Sequence, residues 1–254
     1  MNKTTLQILT FAAVLFAFNF KIYAQTGRVV YTETVRLDIK LDEEIDPRLK
    51  EIKSLIPSER KSEKELIFDE DKSLFKTVDL QEAETERSDN GSVVIMRIES
   101  GGNENIIYIK GEEFVERKEF MGREFLIEGR VKKPEWKLTG ESKEVLGYNC
   151  QKAEYLSEDR KDIAWFTTAI PVSFGPLGYG SLPGLILEME LNNSKTLLEA
   201  TAVDLDFKPN QIEAPKKGKK VSQEEYEQIV IAKTEEMQQT YGVGGGKVIR
   251  IESR

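Results

Sequence analysis

The chain has 254 residues, with 45 Asp and Glu, 37 Lys and Arg, a single cysteine and no histidine. The missing histidine removes Ser-His-Asp and Cys-His nucleophile systems in their usual form. It also removes histidine-based zinc sites such as H-E-x-x-H. There is no G-x-x-x-x-G-K-[ST] phosphate loop, and no G-x-G-x-x-G follows a strand and opens a helix. Gly242, Gly244, Gly245 and Gly246 come after a helical pattern and read as a linker. Carboxylate chemistry survives: paired acid–base work or an oxygen-ligated calcium. Pairs are statistically cheap in so acidic a chain, and Asp42-Glu43-Glu44 and Asp69-Glu70-Asp71 read most simply as solvated turns. Cys150 reads as a small buried hydrophobe in a strand. A reactive thiol or an intermolecular bridge is the alternative. No cofactor is implied.

The other unusual grouping is the run SFGPLGYGSLPG before LILEMEL. Pro171 ends a strand, because proline cannot donate to a ladder. Gly175-Pro176, Gly178 and Gly180 punctuate a loop of about fourteen residues, long enough to be functional or disordered. Phe174, Leu177, Tyr179 and Leu182 within it argue for order, folded back over an apolar surface. Pro183-Gly184 reads as a turn whose glycine takes positive φ, and Leu185 starts the next strand. The loop over residues 175–184 is the expected functional surface, with Trp136, Cys150 and Trp165 packed beneath it and Tyr148 nearby.

Strands must hold this loop. Residues 29–41 alternate with period two: Val29, Tyr31, Val35, Leu37, Ile39 and Leu41 share one face. Asp46-Pro47 reads as the start of a short helix that Pro57 stops. Strand-like runs follow at 65–69, 73–79, 92–99, 105–110, 114–119 and 124–128, with turn signals at 89–91 and 101–103. Further strands are expected from Trp136, at 149–156 and 163–168 around a turn at 157–160, and at 185–191 and 195–207. Strands at short spacing without intervening helices predict antiparallel meanders. Ser222 and Glu225 form a capping box for a helix over about 222–240, and a short strand closes the chain at 247–252. The basic run at 216–220 reads as a solvated connector. The fold class is therefore mainly β: a curved antiparallel sheet or open half-barrel with a covering C-terminal helix.

Residues 1–24 have a short positive start, an apolar stretch and a small residue at Ala24, the pattern of a secretory signal peptide. A single domain over 25–254 is expected, exported to the periplasm, the outer membrane or the medium. No transmembrane span follows. The net charge of −8 repels phosphate, so nucleic acid is not an expected partner. The oligomeric state is not legible.

The residues Trp136-Lys137-Leu138, Glu141, Lys143, Leu146 to Ala153, Ala164 to Thr167, Ile170-Pro171, Gly175-Pro176 and Ser181 to Leu187 resemble the GLPGLI family of exported bacterial proteins. Ser181 stands where that motif has glycine. The resemblance implies export and no established activity. By analogy it suggests the open-barrel architecture of lipoprotein carriers, although a fold does not fix a function. The first expectation is a non-enzymatic envelope protein binding an apolar ligand such as a lipid, an acyl chain or a hydrophobic peptide. The alternative is an interaction module that docks on an envelope protein, an outer-membrane transporter or a secretion partner. A carboxylate-based hydrolase comes third.

Overall fold

The computed structural model describes residues 26–37, 57–79, 105–157, 160–208 and 212–242. The expected signal peptide, the helix after Asp46-Pro47, the strands at 92–99 and 247–252 and the turns at 42–44, 89–91 and 101–103 lie outside the described residues. The described strands are β1 (Gly27–Arg36), β2 (Glu59–Phe68), β3 (Lys72–Asp79), β4 (Ile106–Lys110), β5 (Glu113–Phe120), β6 (Arg123–Arg130), β7 (Lys137–Val145), β8 (Tyr148–Leu156), β9 (Lys161–Thr167), β10 (Leu185–Leu191), β11 (Thr196–Asp204) and β12 (Lys219–Ser222). Helix α1 covers Gln223–Gly242, and a 3-10 turn covers Pro176–Gly178.

All twelve strands belong to one sheet, in the order β12-β6-β5-β4-β3-β2-β1-β11-β10-β9-β8-β7. Strands β1 to β6 make one antiparallel meander and β7 to β11 a second. The pairing of β1 with β11 joins them, and β12 adds to the β6 edge in parallel.

Chain length requires this sheet to bend. Strands β6 and β7 stand second and twelfth in the order, which in a flat sheet would separate them by about 48 Å. The connection at 131–136 can reach only about 25 Å. The meanders must therefore curl toward each other, and one buried cluster unites Ile107 and Ile109 of the first with Cys150, Ala164 and Phe166 of the second. The protein is mainly β, with one large curved, unclosed sheet and a C-terminal helix.

The register sets the inner face. Val29 stands opposite Leu66 and Val203. The row continues through Phe75, Ile107, Glu116, Ile127 and Val221. Directly opposed residues share a face, so this row crosses the first meander. Each fully buried Leu, Ile or Phe in such a row contributes about 2 kcal/mol of transfer free energy. The period-two face of β1 also carries Glu33, which is buried and pairs with Lys64 at 3.2 Å and Ser62 Oγ at 3.0 Å.

Helix α1 begins at the expected capping box. Ser222 Oγ accepts from the Glu225 N–H at 3.1 Å, and a Glu225 carboxylate oxygen accepts from the Ser222 N–H at 2.9 Å. The helix covers the β6 and β12 end of the sheet, where Tyr226 packs edge-on against Phe120 and Phe125. The basic run before it is structured differently from expectation. Lys219 and Lys220 open β12, Lys217 pairs with Glu124 at 2.9 Å, and Lys220 pairs with Glu128 at 2.8 Å. No described helix is long and apolar enough to cross a membrane.

Candidate functional site

The glycine-proline loop joins β9 to β10 and turns inward. The Phe174 and Gly180 backbones form an isolated antiparallel bridge that closes its neck. Ser173 Oγ accepts from the Ser181 N–H at 2.9 Å, and the Phe174 carbonyl accepts from the Ile186 N–H at 3.0 Å. Between them, the 3-10 turn packs on β3 and β4 of the opposite meander. Ile170, Leu182 and Leu185 are buried in the shared core, and Phe174 packs against the Phe68 ring at 6.5 Å. The loop is thus part of the filling between the meanders.

Close approach explains the key glycines. A Cβ at Gly180 would lie 2.5 Å from the Ser173 carbonyl oxygen. At Gly184 it would lie 2.1 Å from the Thr167 carbonyl oxygen. Gly184 does not take the positive φ expected of it; the steric limit at this position is the Thr167 backbone.

At the loop's other flank, three aromatic rings converge. The Trp136 ring lies 6.3 Å from Tyr155 and 6.2 Å from Tyr179. Its indole N–H donates to the Gly180 carbonyl at 2.9 Å. Beneath the rings is Asp162, a carboxylate with no solvent exposure. Its Oδ1 accepts from the Asn192 N–H at 2.9 Å, and its Oδ2 accepts from the Tyr179 hydroxyl at 3.3 Å. Arg160 Nε lies 3.0 Å from the same Oδ2, and the guanidinium sits 5.6 Å above the Tyr155 ring. One buried acid thereby fixes the loop, the β10–β11 turn and an exposed arginine.

Burial first, and then the Asp162 charge, push the Tyr179 phenol from its ordinary value of 10.0 up to about 12. Burial also raises the Tyr31 phenol, which donates to the Ile186 carbonyl at 2.7 Å. A pKa raised in the folded state supports folding fully below the unfolded value and loses that support as pH climbs through the folded value. Stability measured by urea unfolding is therefore expected to fall as pH rises from 10 through 12. Tyr179→Phe should make that fall shallower; an unchanged slope would refute the assignment to Tyr179.

The other expected site residues divide. Cys150 is buried in β8 opposite Lys143, and its thiol is pushed up to about 11, mainly by burial. It is a protonated, packed side chain at neutral pH. Tyr148 is half-buried against the same core. Trp165 alternates to the other side of β9 from Asp162 and Phe166. There Lys143 Nζ lies 4.4 Å from the ring centroid and is paired with Glu188. Gly175 and Pro176 are buried, while Pro171 and Pro183 are exposed. The structure therefore brings Trp136, Tyr179 and Gly180 together, while Trp165 packs against the same core cluster without joining their ring contacts. Among the described residues no group of three or more Cys, Asp or Glu could hold a metal ion.

Sequence reasoning missed Tyr155, Arg160 and Asp162. A signal existed for Asp162: it opens the alternating series Asp162, Ala164, Phe166, so it occupies a core-facing position. Glu33 shows the same signature after Val29 and Tyr31.

These elements define a curved β domain with an inward loop and a carboxylate-braced aromatic corner. The family model described as "N-glycanase peptide, N-terminal domain" matches residues 101–233, more than half of the chain. The protein belongs to this family of PNGase F-II N-terminal domains. Two solved structures share the fold: "Structure of PNGF-II in P21 space group", 18% identical with a TM-score of 0.51, and "Structure of PNGF-II in C2 space group", 17% identical with a TM-score of 0.53. Each match covers 82% of this chain and 33% of the other, so the chain spans about a third of their length. No curated protein matches.

The GLPGLI resemblance is thereby corrected, because the matched family covers the residues that carried it. The motif at 181–187 reflects a local steric need, the fit of Gly184 against the Thr167 carbonyl. The apolar-ligand reading is corrected with it. The matching family model is that of an N-glycanase N-terminal domain, and the protein's own Ile170, Leu182 and Leu185 occupy core that the reading gave to a guest. The docking-module alternative, which rested on the ordered loop and an exposed sheet edge, gains no support from the family match, and the loop itself packs on β3 and β4.

Proposed function

We propose that this domain recognises N-linked glycans, or the glycoproteins bearing them, outside the cell. The match to an N-glycanase N-terminal domain over residues 101–233 carries the reading. Sugar recognition needs an apolar platform beside fixed polar groups, and Trp136, Tyr155, Tyr179 and Arg160 supply both. The leader-like residues 1–24 support export.

The domain's part is binding, with hydrolysis assigned elsewhere. Among the described residues the buried carboxylates are already engaged: Glu33 by Lys64, Glu65 by Arg28 and Lys76, Glu116 by Lys118 and Asp162 by Arg160. A general acid or nucleophile needs a carboxylate free to meet substrate. Calorimetric titration of the purified protein with a glycopeptide and its deglycosylated counterpart tests the reading. Saturable binding of the glycosylated form alone is expected, without glycan release by mass spectrometry. Equal binding of both peptides, or release by this chain alone, would overturn it.

A further inference from the structure

We infer that Trp136, Tyr155, Tyr179 and Arg160 form one binding site for an uncharged pyranose ring of an oligosaccharide. The inference rests on the glycan reading above and assigns it a place. All four side chains keep part of their surface in water, and that of Arg160 is 41% exposed. Their mutual geometry is fixed from behind. The indole N–H of Trp136 is tied to the Gly180 carbonyl, and the Tyr179 hydroxyl and Arg160 Nε both meet the fully buried Asp162.

Such bracing serves recognition better than packing. An aromatic ring that only fills a core edge needs no buried acid behind it, whereas a rigid site loses little entropy when a ligand arrives. The chemistry selects the ligand. Ring faces take the C–H surface of a sugar. Arg160, 41% exposed, presents N–H donors in a planar fork to hydroxyl oxygens, with its Nε turned to Asp162. An aliphatic chain would offer the exposed edge of that guanidinium no acceptor. An anionic sugar would be disfavoured by a chain of net charge −8.

The test uses the full chain carrying Trp165→Phe, so that Trp136 is the sole tryptophan, excited selectively at the red edge of indole absorption. Mannose, N-acetylglucosamine and a released neutral N-glycan are titrated while indole emission is followed. A saturable change is expected with the glycan. Tyr155→Ala and Arg160→Gln should each weaken it about tenfold, with thermal unfolding confirming that the variants fold. Should Tyr155→Ala unfold, the exposed Arg160→Gln carries the test. Glycan binding by calorimetry that both variants retain at full strength would overturn this site and leave the glycan reading standing. No glycan binding by the parent protein would overturn both.

Discussion

Gly184→Ala is expected to destabilise the protein by about 3 kcal/mol or to prevent folding. The new Cβ would lie 2.1 Å from the Thr167 oxygen, 2.6 Å from the Thr167 carbonyl carbon and 3.0 Å from the Thr168 nitrogen. All three are backbone atoms, so no rotamer change relieves the clash. Relief requires parting β9 from β10 where Leu185 pairs with Thr167. That movement would pull Leu182 and Leu185 from the core they share with both meanders. Gly122→Ala is the comparison: Gly122 has φ +74° with nothing within 4 Å of the added atom. There the loss should be only about 1 kcal/mol, the cost of left-handed backbone. Guanidinium midpoints for the two variants decide the matter. Equal losses would mean that close approach at Gly184 is not the governing constraint.

Asp162→Ala should cost about 2–3 kcal/mol. The Asn192 N–H and Tyr179 hydroxyl would each lose their acceptor, and an orphaned buried donor costs about 1–3 kcal/mol. The cost stays below that of a fully buried broken pair because Arg160 can turn to water. Asp162→Asn retains an acceptor oxygen and should lose roughly half as much. Urea unfolding gives the magnitudes, and hydrogen exchange at the Asn192 amide gives the local signature. An Asp162→Ala loss under about 0.5 kcal/mol would show that the carboxylate does not brace the corner.

The elements with strong local patterns were readable from sequence: β1 through its alternation, β10 through its apolar run and α1 through Ser222 and Glu225. Strand β2 was read only from residue 65, yet it starts at Glu59. Its first half, Glu59 to Lys64, is almost wholly charged and has no apolar period. Register with β1, from Gly27 opposite Phe68 to Arg36 opposite Glu59, extends it. Strand β12 escaped notice because Lys219–Ser222 is four residues long and pairs in parallel with a strand more than ninety positions earlier. The loop's importance to the core was legible from its aromatic and apolar residues. Its corner was not, because Tyr155, Arg160 and Asp162 meet Trp136 only through pairing across β8 and β9 and the return of the loop. The family assignment failed where a short motif mirrored local sterics.

The seam between β1 and β11 has a kinetic consequence. Arg28 faces Asp204 across it, whereas every pairing inside either meander links strands adjacent in the chain. Loop-closure entropy must be met before so distant a contact stabilises anything. Each half can assemble from neighbouring hairpins as the polypeptide emerges, but the halves can be zipped together only after residue 204 is available. Until then the oldest strand waits with one row of amides and carbonyls unanswered, and guarding that row from other chains becomes a requirement on the whole route to the native state.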